Sequence, residues 1–311
     1  MGGKAAGYHD GLIMVSSPMV KKANFQVKHT FFIYLLHIRT SYETRHLTGK
    51  KSMPRLNRNG VEIYFEVHGK GPALLLTHGF SATAGMWRDH VGALSRDHTV
   101  LIWDMRGHGR TDYPEDPEAY SEAMTVGDMA ALLDWAGAGR AIVGGLSLGG
   151  YMSLAFHRAH PSRVKALLII SSGPGFKKDE AREAWNQRAF AAGVLFEKQG
   201  LAALESFSQE RATARHRSAE GLVGAARGML TQRDARIIES LPGIQVPSLI
   251  IAGSEDALFL AASEYMANKI PGARLVVIPG AGHAVNMDQP KAFMEAVQPF
   301  LDSLRPTEAN G

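Results

Sequence analysis

Gly145-Leu146-Ser147-Leu148-Gly149-Gly150 lies between Ala141-Ile142-Val143, a short apolar run, and Tyr151-Met152-Ser153-Leu154-Ala155-Phe156-His157, which reads as a helix ended by Pro161. The apolar run reads as a buried strand. A G-x-S-x-G pattern at such a strand-to-helix junction is the nucleophile elbow, a sharp turn that lifts the serine hydroxyl clear of the sheet. Gly145 and Gly149 fit it because a Cβ at either place would collide with the neighbouring strand or helix. The helix N-terminus sets backbone N–H groups, Leu148 first, beside charge that develops on a reacting carbonyl. The plainer alternative is a Gly-rich turn with an incidental serine, so the rest of the chain has to supply partners for Ser147.

Two later strand ends supply them. Ser248-Leu249-Ile250-Ile251-Ala252 is followed by Gly253-Ser254-Glu255-Asp256, and Leu275-Val276-Val277-Ile278 by Pro279-Gly280-Ala281-Gly282-His283. In an open parallel sheet, ligands bind outside the carboxyl ends of the strands, where all three groups emerge. The order Ser, Asp, His is the one that accompanies this elbow. His283 then takes the Ser147 proton, and Asp256 fixes the imidazole tautomer and stabilises the imidazolium. Glu255 competes with Asp256 for that role. The oxyanion needs two donors, expected to be the backbone N–H of Leu148 and that of Phe80 in Thr77-His78-Gly79-Phe80-Ser81. Most of the 13 histidines need no catalytic role. His78 and His108 read as loop-holding residues, and His157, His160 and His216 as helix-surface residues.

The apolar fraction of 45% and charged fraction of 21% are those of an ordinary globular protein, and 311 residues hold one large α/β domain with an insertion or two smaller domains. The absence of cysteine removes disulfides, thiolate metal sites and cysteine nucleophiles. Residues 1–52 carry eight Lys and Arg against two Asp and Glu, so the net charge of +4 belongs to this segment and the remainder is at −2. No nucleic-acid partner follows from it. The longest apolar run there, Phe31-Phe32-Ile33-Tyr34-Leu35-Leu36, is far short of the ~20 residues of a membrane span. The segment is expected to be an extension, disordered or upstream of a natural start at Met53.

From Met53 the chain becomes regular. Asn59-Gly60 between Arg55–Asn57 and Val61–Val67 is a hairpin signal. Apolar runs at Ala73–Thr77, Thr99–Trp103, Ala141–Val143 and Val164–Ile170 alternate with helical stretches near 87–95 and 124–136. That alternation predicts an α/β fold, a mostly parallel sheet flanked by helices. Between Gly173 and Pro242 only helical patterns occur, such as Asp179–Ala192 ending at Gly193 and Ala219–Leu230. A closing helix is expected from Pro290 to Leu304, bent at Pro299. The expected domains are a core at 53–174 and 242–311, and a helical cap at 175–241 inserted after the sixth strand.

His78-Gly79-Phe80, Asp104-Met105-Arg106-Gly107-His108-Gly109, Gly145–Gly150, Gly253–Asp256 and Gly280–His283 together resemble the motifs of the α/β-hydrolase superfamily, over residues 53–305. The resemblance implies that fold and the triad Ser147, Asp256 and His283, its spacing favouring Asp256 over Glu255. It is weakly specific for substrate. Ser147 stands where epoxide hydrolases and haloalkane dehalogenases carry aspartate, which argues against both. One implied activity is hydrolysis of a small carboxylic ester or related acyl compound through an acyl-serine. Another follows the likeness of Ser171–Phe176 and Val277–Ala284 to 2-succinyl-6-hydroxy-2,4-cyclohexadiene-1-carboxylate synthases, which use the triad as a base to eliminate pyruvate. Arg106 stands where that branch carries proline. Arg188, Arg211, Arg215 and Arg227 would serve such a carboxylate-rich substrate. A third reading is a non-catalytic hydrolase-like binding module. No cofactor or metal site is expected, the partner is a small ester or acyl molecule, and the expected location is the cytoplasm.

Overall fold

The computed structural model describes residues 54–305, so the expected extension at residues 1–52 and start at Met53 lie outside the described residues. Eight strands form one sheet: β1 (Arg55–Arg58), β2 (Val61–His68), β3 (Ala73–Thr77), β4 (Thr99–Trp103), β5 (Ala141–Leu146), β6 (Val164–Ile170), β7 (Ser248–Gly253) and β8 (Arg274–Ile278). Their spatial order is β1-β2-β4-β3-β5-β6-β7-β8. β1 and β2 pair antiparallel, as do β2 and β4, and all pairings from β4 to β8 are parallel. Asn59 (φ 54°) and Gly60 (φ 82°) turn the β1–β2 hairpin in the left-handed region, which this dipeptide enters at little cost.

The central strands are continuous apolar runs because both faces are covered. One face packs on Trp87 and on α1 (Arg88–Leu94) through Val91 and Leu94, and on the C-terminal helix through Phe293, Val297 and Phe300. The other packs on α2 (Glu122–Trp135) and α3 (Leu148–Ala159) through Met129, Leu132, Met152 and Phe156.

Between β6 and β7 the described residues form helices and irregular stretches, with no strand. The longest is α4 (Asp179–Gln199), followed by α5 (Gln209–Ala212), α6 (Glu220–Gly228) and α7 (Arg236–Ser240). α4 runs through Gly193 instead of ending there. The interior glycine lies against α6, where Ala226 Cβ and Arg227 Nε would meet an added Cβ at 3.6 and 3.5 Å. Helix contact outweighs its poor propensity, and the stop is Gly200 at φ 61°. After β7 come α8 (Leu260–Lys269), α9 (Val285–Asp288) and α10 (Pro290–Ser303), the last with Pro299 inside it.

Arg106 forms a bidentate pair with Asp128 of α2, Nε to Oδ2 at 2.7 Å and Nη2 to Oδ1 at 2.9 Å. The side chains are 1% and 0% exposed, and Arg58 approaches the same carboxylate at 3.5 Å. The pair anchors the loop after β4 to the helical layer. Removing one partner of a buried pair typically costs about 3–5 kcal/mol, and Arg58 keeps the loss near the lower end. Arg106→Ala is expected to lower Tm by about 10 °C in a thermal melt, and a change under about 2 °C contradicts this account.

Candidate active site

Ser147 stands between β5 and α3 at φ 56° and ψ −116°, a backbone region that non-glycine residues avoid. Tight packing holds it there. A Cβ on Gly145 would come within 2.5 Å of the Thr77 carbonyl oxygen, and one on Gly149 within 2.2 Å of the same atom. The Ser147 N–H donates to Ile170 O at 2.8 Å, and its carbonyl accepts from Tyr151 N–H at 3.1 Å. It also accepts from Ser172 Oγ at 2.7 Å, so a buried hydroxyl at the end of β6 clamps the strained peptide. Such a bond contributes about 1 kcal/mol, and Ser172→Ala is expected to lower kcat about fivefold with little change in KM. A rise in KM at unchanged kcat contradicts the clamp and makes Ser172 a substrate contact.

The loops after β7 and β8 are joined to each other. Glu255 N–H donates to Ala281 O at 2.9 Å, and Gly280 N–H to Ser254 Oγ at 2.9 Å. This brings Asp256 to His283, with Nδ1 of the ring 2.9 Å from Oδ2. Asp256 is buried and Glu255 exposed. Ser147 is joined to neither by a hydrogen bond among the described residues, and lines a cavity of about 350 Å³. Phe259 lines the same cavity and stacks on His283, with centroids 5.0 Å apart and planes at 27°. Trp185 lies edge-on to Phe259 at 6.3 Å, and Phe176 lies 6.1 Å beyond it. An aromatic wall thus runs from the imidazole along the cavity.

The loop carrying Phe80 passes beside the elbow, for a Cβ on Gly79 would lie 3.4 Å from the Ser147 Cβ. Among the described residues no hydrogen bond engages the N–H of Phe80 or of Leu148. Three histidines brace this loop. His78 accepts from Met105 N–H at 2.9 Å and meets Gly79 O at 2.7 Å. His108 accepts from Ser81 N–H at 3.1 Å and meets Arg106 O at 3.0 Å. His216 accepts from Gly109 N–H at 3.1 Å and meets Ser81 O at 3.0 Å. Each ring accepts at one nitrogen and donates at the other, which is the pattern of neutral imidazole. Burial pushes His78 down to about 3 and His216 to about 4, and lowers His108 well below its ordinary value. Burial raises Asp104 to about 6, against N–H donation from Arg110 and Ala84.

His216 is therefore not the helix-surface residue expected. It lies in the irregular stretch between α5 and α6, and its two backbone partners draw it inward. His157 is also buried, at 7% exposure, on the inner face of α3. Of the four cap arginines, Arg188 lines the cavity, Arg227 pairs with Glu197 at 2.8 Å, and Arg215 is exposed. Arg211 lies 3.5 Å from Glu210 with its guanidinium over Phe207 at 4.9 Å. Sequence reasoning did not single out Phe259 or Gln232, both of which line the cavity, and held Ser172 only as a member of the Ser171–Phe176 likeness. Phe259 and Gln232 carried no signal beyond their place in a loop. Among the described residues, no cluster of three or more His, Asp or Glu is placed to hold a metal ion. No described helix is long and apolar enough to cross a membrane.

The family model described as "Alpha/beta hydrolase family" matches residues 74–296. A protein of Bacillus subtilis, provisionally named 2-succinyl-6-hydroxy-2,4-cyclohexadiene-1-carboxylate synthase, is 30% identical over 78% of this chain and 96% of its own. The 3-oxoadipate enol-lactonase 1 of Acinetobacter baylyi is 28% identical over 80% of this chain and 96% of its own. The solved structure of a thermophilic esterase from Thermogutta terrifontis superposes with a TM-score of 0.68 at 28% identity, covering 81% of this chain and 100% of the esterase.

Proposed function

Since the chain belongs to the alpha/beta hydrolase family, we propose that it hydrolyses a small carboxylic ester or related acyl compound through an acyl-serine on Ser147. The observation that carries this reading is the strained serine at the elbow, lining an apolar cavity whose aromatic wall stacks on an imidazole held by a buried carboxylate. His283 accepts the Ser147 proton at Nε2 as the hydroxyl attacks the carbonyl carbon. Asp256 accepts the Nδ1–H bond and stabilises the imidazolium. The N–H groups of Phe80 and Leu148 bind the oxyanion. Collapse expels the alcohol, which takes its proton from His283. Water then attacks the acyl-serine with His283 again as base, releasing the acid. Residues 175–241 act as a cap, their Phe176, Trp185 and Leu230 roofing the cavity.

A second reading has the same triad act only as a base in an elimination. It rests on the Bacillus relative and on Arg188, a cation on the cavity wall suited to a carboxylate. p-Nitrophenyl esters of rising acyl length separate the two. The cavity has room for about a dozen water volumes, so hydrolysis that depends on Ser147 and peaks at short acyl chains is the expected result. A folded protein that hydrolyses none of them contradicts the acyl-serine reading and turns the assignment to elimination.

A further inference from the structure

Three polar side chains on the cavity wall, those of Tyr151, Ser172 and Trp185, already have partners. Tyr151 OH donates to Glu122 at 2.9 Å, and Ser172 Oγ donates to the Ser147 carbonyl. Gln232 differs. Asn186 of α4 fixes its backbone from both sides, accepting the Gln232 N–H at 2.8 Å and donating to its carbonyl at 3.0 Å. The side chain is thereby set in the cavity wall with the residue 8% exposed, yet among the described residues Oε1 has no hydrogen-bond partner. No hydrogen bond engages Nε2 either, among the described residues. In this position it packs directly on Gly175. Gly175 is at φ 89°, and a Cβ there would stand 2.8 Å from Oε1.

A buried amide left unbonded is unfavourable, and leucine would fill the same volume without that cost. The wall nevertheless retains a hydrogen-bonding group in the cavity that Ser147 lines. Unsatisfied polar groups of this kind are expected where a ligand completes them.

We propose that Gln232 recognises a secondary amide in the substrate, so that the protein acts on an ester or lactone bearing an N-acylamino group near the reacting carbonyl. This rests on the hydrolase reading above. A secondary amide offers one N–H and one C=O, the pair that the glutamine amide offers in return. Oε1 is buried facing Gly175, and rotation about χ3, which is soft, turns it to the ligand. Among the described residues no carboxylate lines the cavity, so an ammonium group would find no counter-charge there. An anionic group would go to Arg188, on the exposed side of α4. The buried, uncharged Gln232 suits an uncharged partner, with Phe176 and Trp185 beside it for the flat faces of the amide.

Two matched ester pairs, each differing only by N–H in place of CH2, test this on either side of the scissile bond. One is p-nitrophenyl N-acetylglycinate against p-nitrophenyl levulinate. The other is 2-acetamidoethyl acetate against 4-oxopentyl acetate. The quotient of kcat/KM within a pair, compared between the wild type and Gln232→Leu, cancels the intrinsic reactivity of each ester. The expected result is a fall in the amide-over-ketone quotient of about tenfold in one pair, with the Tm of the variant unchanged or raised. A change below about threefold in both pairs overturns the proposal. If the wild type hydrolyses none of the four in a Ser147-dependent way, the hydrolase reading itself fails. Recognition is then measured by calorimetry of methyl N-acetylglycinate and methyl levulinate on Ser147→Ala protein, with and without Gln232→Leu. A preference for the amide that the leucine abolishes upholds the proposal, and equal or absent binding of the two overturns it.

Discussion

Replacing Ser147 by alanine is expected to lower ester turnover by about 10⁴–10⁶-fold, and His283→Ala by a similar factor. The two losses do not multiply. Without the imidazole the serine hydroxyl has no acceptor for its proton, and without the hydroxyl the imidazole has nothing to activate. The double variant is therefore expected to retain about the activity of either single one, the residue of catalysis coming from the N–H donors of Phe80 and Leu148 and from binding. Melting temperatures stay close to that of the wild type, because the elbow conformation rests on the packing of Gly145 and Gly149 against Thr77, which both substitutions leave intact. Steady-state assays of the two single variants and the double variant check this. Independent, multiplying losses would mean that Ser147 and His283 do not act as one unit.

Folding stability is expected to fall steeply below neutral pH. His78, His108 and His216 are held neutral inside the protein, by burial first, with values pushed to about 3 for His78 and about 4 for His216. In the unfolded chain they titrate near their ordinary value of about 6.5. A histidine lowered in the folded state contributes stability that is whole above its unfolded pKa and is lost as pH falls from there toward the folded one. In that window the unfolded chain takes up a proton that the folded chain refuses, at about 1.4 kcal/mol per pH unit for each group. Asp104 acts in the opposite sense, for burial raises it to about 6 and the folded state holds its proton more tightly down to its unfolded value. At pH 5 His78 and His216 have removed about 4 kcal/mol, His108 acts in the same direction, and Asp104 has returned about 1, a sizeable loss against a typical total of 5–15. Denaturant titrations at pH 7 and pH 5 read this as a large shift of the midpoint. Equal midpoints would contradict the neutral, buried state of the three rings.

These rings also mark the limit of what the sequence made legible. The elbow, the apolar strand runs and the Asp256 and His283 loops were readable because each is a local pattern: periodicity, a glycine spacing, a residue just past a strand end. His216 has no such pattern. It reaches Ser81 across 135 positions from an irregular stretch between two helices, and only the fold shows that it belongs to the loop of Phe80. The end of α4 was misplaced for a related reason. A lone glycine is a fair stop signal, but contact between α4 and α6 at Gly193 overrides it, and that contact is tertiary. Gln232 is more hidden still, because its significance lies in the hydrogen bonds that it does not make. The choice between Asp256 and Glu255 leaned on family spacing in the sequence, and the structure adds that Asp256 is buried against His283 while Glu255 is exposed.

The acyl-serine is the central claim, and trapping it is the most direct measurement. p-Nitrophenyl acetate mixed with the enzyme, quenched in acid within the first turnovers and digested for mass spectrometry, is expected to leave an acetyl group on the peptide carrying Ser147 and on no other. Release of p-nitrophenol with that peptide unmodified, or an acetyl group on another residue, would contradict it.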